Sequence, residues 1–394
     1  MRSACLTTAI ALGMLAGLAA PAFADPVKID FWYGNSGDIS KRVQEVCQHF
    51  NASQKDYEVD CTSQGSYYAA VQNTIAAYRA GKQPTIVQVF DVGTLDLMLS
   101  DAYYPAYKLM DDNGYKIDWG NYFHGIAAYY ADSKGKMYSF PFNSSTALLY
   151  WNQDSFAKIG KSEAPKTWEE AEADMKALKA AGYDCPLAID AGLLKIKSPQ
   201  SGEDYVAAFA SGECQMTLTS VGDHGTITRT AKPDMHWSVA MLPVYDGTQR
   251  KNSLVGGASL WVLAGKSKDE YKAAAAFLNF IAQPEQALFW STVTGYIPVT
   301  KTGYDYMVKN GFYDKPPYKG REIAIMSLTA SDPTPITRGI RLGGFLQIRG
   351  EVGNSLQAIF ADKVTVQQGL DDAVARGDQI LRRFQATYKD KQLP

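Results

Sequence analysis

Apolar and polar positions alternate first at Val27, Ile29, Phe31 and Tyr33, which spells a half-buried strand. Gly34, Asn35 and Gly37 interrupt it, and the period then lengthens, with Val43, Val46 and Phe50 at helical spacing between Ile39 and Phe50. Tyr57–Cys61 alternates again, Val71, Ile75 and Tyr78 share one face of a helix over Tyr67–Tyr78, and Ile86–Phe90 is a short apolar strand. A strand–helix–strand–helix–strand rhythm of this kind predicts a parallel sheet covered by helices. Ligands of such sheets sit beyond the carboxyl ends of the strands. Trp32–Gly37, Ser63–Tyr67 and Asp91–Thr94 are therefore the segments to inspect, although each also reads as ordinary turn chemistry.

Further along, Thr167 through Glu170 has the form of a capping box. The helix it opens carries Ala171, Met175 and Leu178 on one face and ends at Gly182. Lys272–Ala282 is helical before Pro284. Thr365 and Gln368 cap a last helix whose Leu370, Val374, Leu381, Phe384 and Tyr388 form an apolar stripe, expected to be core. Pro141 through Thr146, rich in hydroxyls and followed by an apolar strand, is the expected hinge between two lobes.

Length sharpens this reading, because 394 residues suggest two domains. At the start, Arg2, the apolar run Leu6–Leu18 and Ala22-Phe23-Ala24 predict a secretory signal over residues 1–24. Beyond it no stretch is apolar enough to span a bilayer. A net charge of −2 argues against a general binder of nucleic acid or anionic membranes. Beyond the signal stand Cys47, Cys61, Cys185 and Cys214. An even number in an exported chain suggests disulfides, and four cysteines permit three pairings. Cys47 ends a helical pattern and Cys61 the next strand, so a local bridge is easy, which leaves Cys185 for Cys214. Buried free thiols are the alternative.

Enzyme templates find no match. The chain lacks GxSxG, HExxH, a P-loop and a GxGxxG after the first strand, and its four histidines, His49, His124, His224 and His236, are scattered. Carboxylates are numerous, so a glycosidase pair stays open. Binding has more support. Aromatics make up 12% of residues, several beside Gly or Ser, and offer flat apolar faces with polar tips. Arg341 and Arg349 flank Gly343-Gly344, where a guanidinium could meet an anion bidentately.

Taken in order, Val89–Thr94, Pro141–Thr146, Val255–Val262, Thr294–Pro298, Gly339–Gly343, Gln347–Arg349 and the Arg376–Phe384 helix resemble the extracellular solute-binding proteins of ABC importers, most closely those that bind sn-glycerol-3-phosphate. The resemblance covers nearly the whole chain after residue 24. It implies an α/β, two-lobed periplasmic-binding-protein fold with a hinge and an interlobe cleft. Residues 25–140 and 256–301 would form one lobe, and 141–255 and 302–394 the other. It further implies a monomer without catalysis or cofactor, handing its ligand to membrane permease subunits driven by an ATPase. By position, the family's ligand contacts fall on Tyr67, Asp91, Ser145, Ser220, Gly257, Tyr296 and Arg349. Close relatives usually carry Glu at the position of Asp91, and Asp is one methylene shorter.

One departure weakens the carry-over. Between Cys185 and Cys214 this chain has only Pro186–Glu213, where close relatives have a longer segment whose tryptophans pack on the glycerol. Two alternatives follow: a receptor for a neutral sugar or polyol, and a family member whose binding is impaired.

Overall fold

The computed structural model describes residues 25–189, 205–334 and 337–391. The signal expected over 1–24 and the middle of the shortened segment lie outside the described residues. Helices and strands follow in chain order. First come β1 (Val27–Tyr33), α1 (Gly37–Ser53), β2 (Tyr57–Ser63), α2 (Tyr67–Arg79), β3 (Ile86–Phe90) and α3 (Thr94–Ser100). Next are β4 (Tyr103–Tyr104), α4 (Ala106–Asp112), α5 (His124–Tyr130), β5 (Phe140–Ser145), β6 (Ala147–Asn152), α6 (Gln153–Lys158) and α7 (Trp168–Ala180). Then follow β7 (Ala188–Ile189), α8 (Tyr205–Ala210), β8 (Met216–Ser220), α9 (His224–Thr230), β9 (Trp237–Ala240) and β10 (Gly256–Leu263). The chain closes with α10 (Lys268–Ile281), α11 (Pro284–Val293), α12 (Lys301–Lys309), α13 (Ile323–Leu328), α14 (Phe345–Phe360) and α15 (Val366–Thr387).

Two sheets result. The first runs β2-β1-β3-β10-β4, with β5 also paired to β10, and the second runs β7-β8-β6-β9. β1 is parallel to both β2 and β3, as the rhythm predicts, whereas β10 enters antiparallel to β3. Side-chain alternation divides the first sheet's core. Ile29, Phe31, Leu260 and Val262 pack under α1 and α10, and Val87, Val89, Trp261 and Leu263 face Val71 of α2 and Met98 of α3. The second sheet buries Leu148, Tyr150 and Val239 with Phe209, Ile227 and Ile325. No described helix is long and apolar enough to cross a membrane.

The crossing between sheets is abrupt. Ser145 ends β5 in the first sheet and Ala147 opens β6 in the second, so the hinge expected over Pro141–Thr146 narrows to Thr146. Both disulfides form, Cys47–Cys61 between α1 and β2 and Cys185–Cys214 at the foot of the shortened segment. A cross-link closing a loop of 14 residues removes roughly 3 kcal/mol of unfolded-state entropy.

Three packing arrangements differ from the sequence reading. Helix α5, grouped with the first lobe, buries Ile126 and Tyr130 in the second lobe's core. Helices α14 and α15, grouped with the second lobe, lie on the first: Leu346 packs beside Val89 and Trp261, and Lys391 donates to Leu99 O. The stripe on α15 is not core: Leu381, Phe384 and Tyr388 are half-buried. Leu370 and Val374 are 46% and 64% exposed, while Gly369, Ala373, Gly377 and Ile380 are buried. Small residues let α14 approach so closely that a Cβ at Gly369 would lie 2.5 Å from Ile359, which turns the bulkier neighbours outward. The box at Thr167 is half closed: its hydroxyl accepts from Glu170 N, but the Glu170 carboxylate turns to Lys166 N.

Candidate functional site

Backbone register gathers most of the predicted residues at one point. Because β10 runs against β3, its first residues lie at the carboxyl end of β3, with Ala258 opposite Phe90 and Asp91 next in line. β5 pairs along the other side of β10, setting Ser145 opposite Gly256 and Ser144 opposite Gly257. In the second sheet Ala147 pairs with Ser220, and Val221 N donates to Thr146 O at 2.9 Å. Ile297 N donates to Ser144 O at 3.1 Å, which brings Tyr296 to the same place. Two glycines permit this convergence. Gly257 has φ +99°, and a Cβ there would lie 1.8 Å from Asn143 O. A Cβ on Gly295 would fall 2.0 Å from Val221 O, so the loop carrying Tyr296 presses directly on the turn after Ser220.

A buried polar network holds the two tyrosines. Gln88 Nε2 donates to Asn35 Oδ1 at 2.8 Å and to Asn143 Oδ1 at 2.9 Å, and Gln88 Oε1 accepts from Gly34 N at 2.8 Å. With their oxygens so occupied, Asn35 and Asn143 aim their amide nitrogens at the Tyr67 hydroxyl, at 3.1 and 2.8 Å. That oxygen therefore accepts twice, and its own proton is left to donate, toward Tyr296 Oη at 3.5 Å or toward a ligand. Burial raises the pKa of both tyrosines, keeping each hydroxyl protonated and a donor. Their rings are fixed by stacking, Tyr67 on Phe90 and Tyr296 on Trp290.

The remaining predicted residues complete the wall. Ser145 is buried, and the Ser220 hydroxyl accepts from Gly222 N at 3.0 Å with its proton still available. Burial lifts the Asp91 carboxyl to about 6, opposed by the positive charge of Arg349. Arg349 is exposed on α14, free to turn toward an anion. Tyr67, Ser145, Ser220, Gly257 and Tyr296 thus meet at the crossing, while Asp91 follows Phe90 and Arg349 is near enough to Asp91 to favour its charged form. An ion pair between Asp38 of α1 and Arg229 of α9 joins the lobes.

Sequence reading missed four supporting residues. Asn35 and Asn143 lie in segments it singled out, and Gln88 signalled itself as a polar residue inside an apolar strand. Arg321 gave no sign. It is 2% exposed, packs its guanidinium against the stacked rings of Phe312 and Tyr318, and donates to Ser291 O at 2.8 Å and Tyr296 O at 3.3 Å. Burial lowers its pKa to about 10. Burial, with Arg321 nearby, also depresses the pKa of His224, whose ring meets Thr228 Oγ1 rather than a site serine. No cluster of His, Cys, Asp and Glu suited to a metal occurs among the described residues.

Two α/β lobes joined by crossing segments, with the Tyr67, Tyr296, Ser145 and Ser220 hydroxyls gathered beside the β5–β6 crossing, define a solute-binding protein of the two-lobed class. Residues 33–288 match the bacterial extracellular solute-binding protein family, and the chain belongs to it. It is 36% identical over 439 aligned positions to the sn-glycerol-3-phosphate-binding periplasmic protein UgpB of Escherichia coli K12, covering 97% of this chain and 98% of that one. The corresponding UgpB of Yersinia enterocolitica is also 36% identical. The alignment is longer than this chain's 394 residues, so these relatives hold residues for which it has no counterpart. Among solved structures, UgpB from Mycobacterium tuberculosis in complex with glycerophosphocholine superposes with a TM-score of 0.75 at 22% identity, covering 92% of this chain and 99% of that one. Maltose-bound MalE3 of T. maritima superposes at 0.69 and 16% identity, covering 90% of this chain and 100% of that one. These two establish the fold alone.

Proposed function

We propose that the protein is the periplasmic receptor of an ABC importer for sn-glycerol-3-phosphate, with glycerophosphodiesters as related ligands. The observation that carries this reading is the doubly accepting Tyr67 hydroxyl, which has only a proton left to offer, beside Tyr296, Ser145, Ser220 and the Arg349 guanidinium. A phosphate needs such donors and a cation. Asp91 accepts from the glycerol hydroxyls and, being anionic above about pH 6, keeps the phosphate at the other end. Closure of the lobes about Thr146 would present the loaded form to the permease. Binding of this kind needs no chemical step.

Titration calorimetry with sn-glycerol-3-phosphate tests the proposal. Saturable one-to-one binding is expected, weakened roughly 10- to 100-fold by Arg349→Ala. Binding of maltose or another neutral sugar, indifferent to Arg349, would replace the phosphate ligand with a sugar. A folded protein giving no heat with any of these would mean that the segment shortened between Cys185 and Cys214 has removed a necessary wall.

A further inference from the structure

A second cavity lies away from the crossing, on the far side of the first sheet. It encloses about 780 Å³ and is walled by α2, β3 and α3 on one side and by α14 and α15 on the other. Two apolar stripes legible in the sequence face it: Val71, Ile75 and Tyr78 of α2, and Phe384 and Tyr388 of α15. Neither stripe is fully covered, and Ile75 and Tyr78 remain 41% and 37% exposed. Protein interiors are packed at crystal-like density, and an apolar space this large lies in the size range of ligand sites rather than of packing defects. Charge at the rim has one dominant sign. Arg79 and Arg383 both line the opening, both are exposed, and neither forms an ion pair among the described residues. Lys391 is engaged by Asp101, and Asp96, the acidic residue of the lining, is tied to Gly344 N with its pKa raised by burial.

We propose that this cavity is a second binding site, for a single-chain amphiphile with an anionic head. The acyl chain would lie between the stripes of α2 and α15, and the carboxylate or phosphate would meet Arg79 and Arg383 at the rim. Both arginines are flexible donors suited to either head group. The site is independent of the cleft, since Tyr67, at the start of α2, points its hydroxyl into the crossing while the stripe starting at Val71 faces the cavity.

Titration of the purified protein with laurate and, separately, with lauroyl lysophosphatidate tests the proposal and distinguishes a free fatty acid from a lysophospholipid as the source. Both are used below their micellar concentrations, and dodecanol serves as the headless control. Saturable one-to-one binding of at least one anion is expected. It should be weakened roughly tenfold or more by Arg79→Gln combined with Arg383→Gln, and blocked by Ile75→Trp. Prior saturation of the cleft with sn-glycerol-3-phosphate should leave it unchanged. The double-glutamine variant alters only exposed side chains, so its circular dichroism and melting temperature should match the parent's. No saturable binding by a folded protein overturns the proposal. So does equal binding by the double variant, or competition by sn-glycerol-3-phosphate, which would put the amphiphile in the cleft. Failure of sn-glycerol-3-phosphate itself to bind would touch only the cleft assignment.

Discussion

Helix α2 borders two hollows of opposite character. At its first residue, Tyr67 enters a polar cluster where Asn35, Gln88 and Asn143 fix one another and leave a single proton to offer. One turn later, Val71, Thr74 and Ile75 line an apolar cavity, and the Thr74 hydroxyl is buried without a partner. The first hollow is preorganised for hydrogen bonding, because a buried network that satisfies its own acceptors can only donate outward. The second is shaped by area and offers no fixed direction. The same helix thus supplies specificity at one end and apolar surface along its side.

The contrast can be broken most severely at Gly257. Gly257→Ala must relieve both a positive φ and a 1.8 Å approach to Asn143 O, so it should cost about 3–5 kcal/mol and abolish ligand heat; thermal melting with calorimetry reads both. A melting temperature close to the parent's would mean that β10 does not press on Asn143 O at Gly257. Gln88→Leu comes next. It strands Gly34 N and frees the amides of Asn35 and Asn143, so about 2–3 kcal/mol should be lost in urea unfolding, along with most of the affinity. Stability lost without affinity would show that the network supports the fold only.

Asp91 gives a smaller effect that depends on pH. Its folded carboxyl titrates near 6 against 3.8 for an ordinary one, because burial disfavours the charged form. The folded protein therefore keeps a proton that the unfolded chain has released, and stability should fall as pH rises through this window, by no more than about 3 kcal/mol. Asp91→Asn removes that dependence. Its melting temperature should exceed the parent's at pH 7.5 and converge with it below pH 4, and parallel profiles would refute the assignment. The least effect belongs to the cavity. Thr74→Val removes an unpartnered hydroxyl, so stability should hold or rise by less than about 1 kcal/mol, whereas a clear loss would reveal a partner for that hydroxyl.

The sequence was most informative where a local rule decides. Strand β3 begins and ends where its apolar run does, and Thr365 caps α15 with Gln368 as its spacing implies. Leu370 and Val374 show the limit. Their periodicity promised a buried stripe, but which face of α15 is covered depended on how closely α14 could approach Gly369 and Ala373. Arg321 shows a further limit: a cation in an unremarkable stretch becomes a buried support for Tyr296 only because α11 and the stacked rings of Phe312 and Tyr318 pack against it.

By itself the sequence determined the strand–helix rhythm, the even cysteine set and the ordered motifs that mark the family, because each is written in neighbouring residues and their period. The meeting of Ser145, Ser220, Gly257 and Tyr296 was decided by the tertiary structure alone, through the antiparallel entry of β10 and the single-residue crossing at Thr146. Register and close approach between distant strands are properties of the packed chain, and no local pattern encodes them.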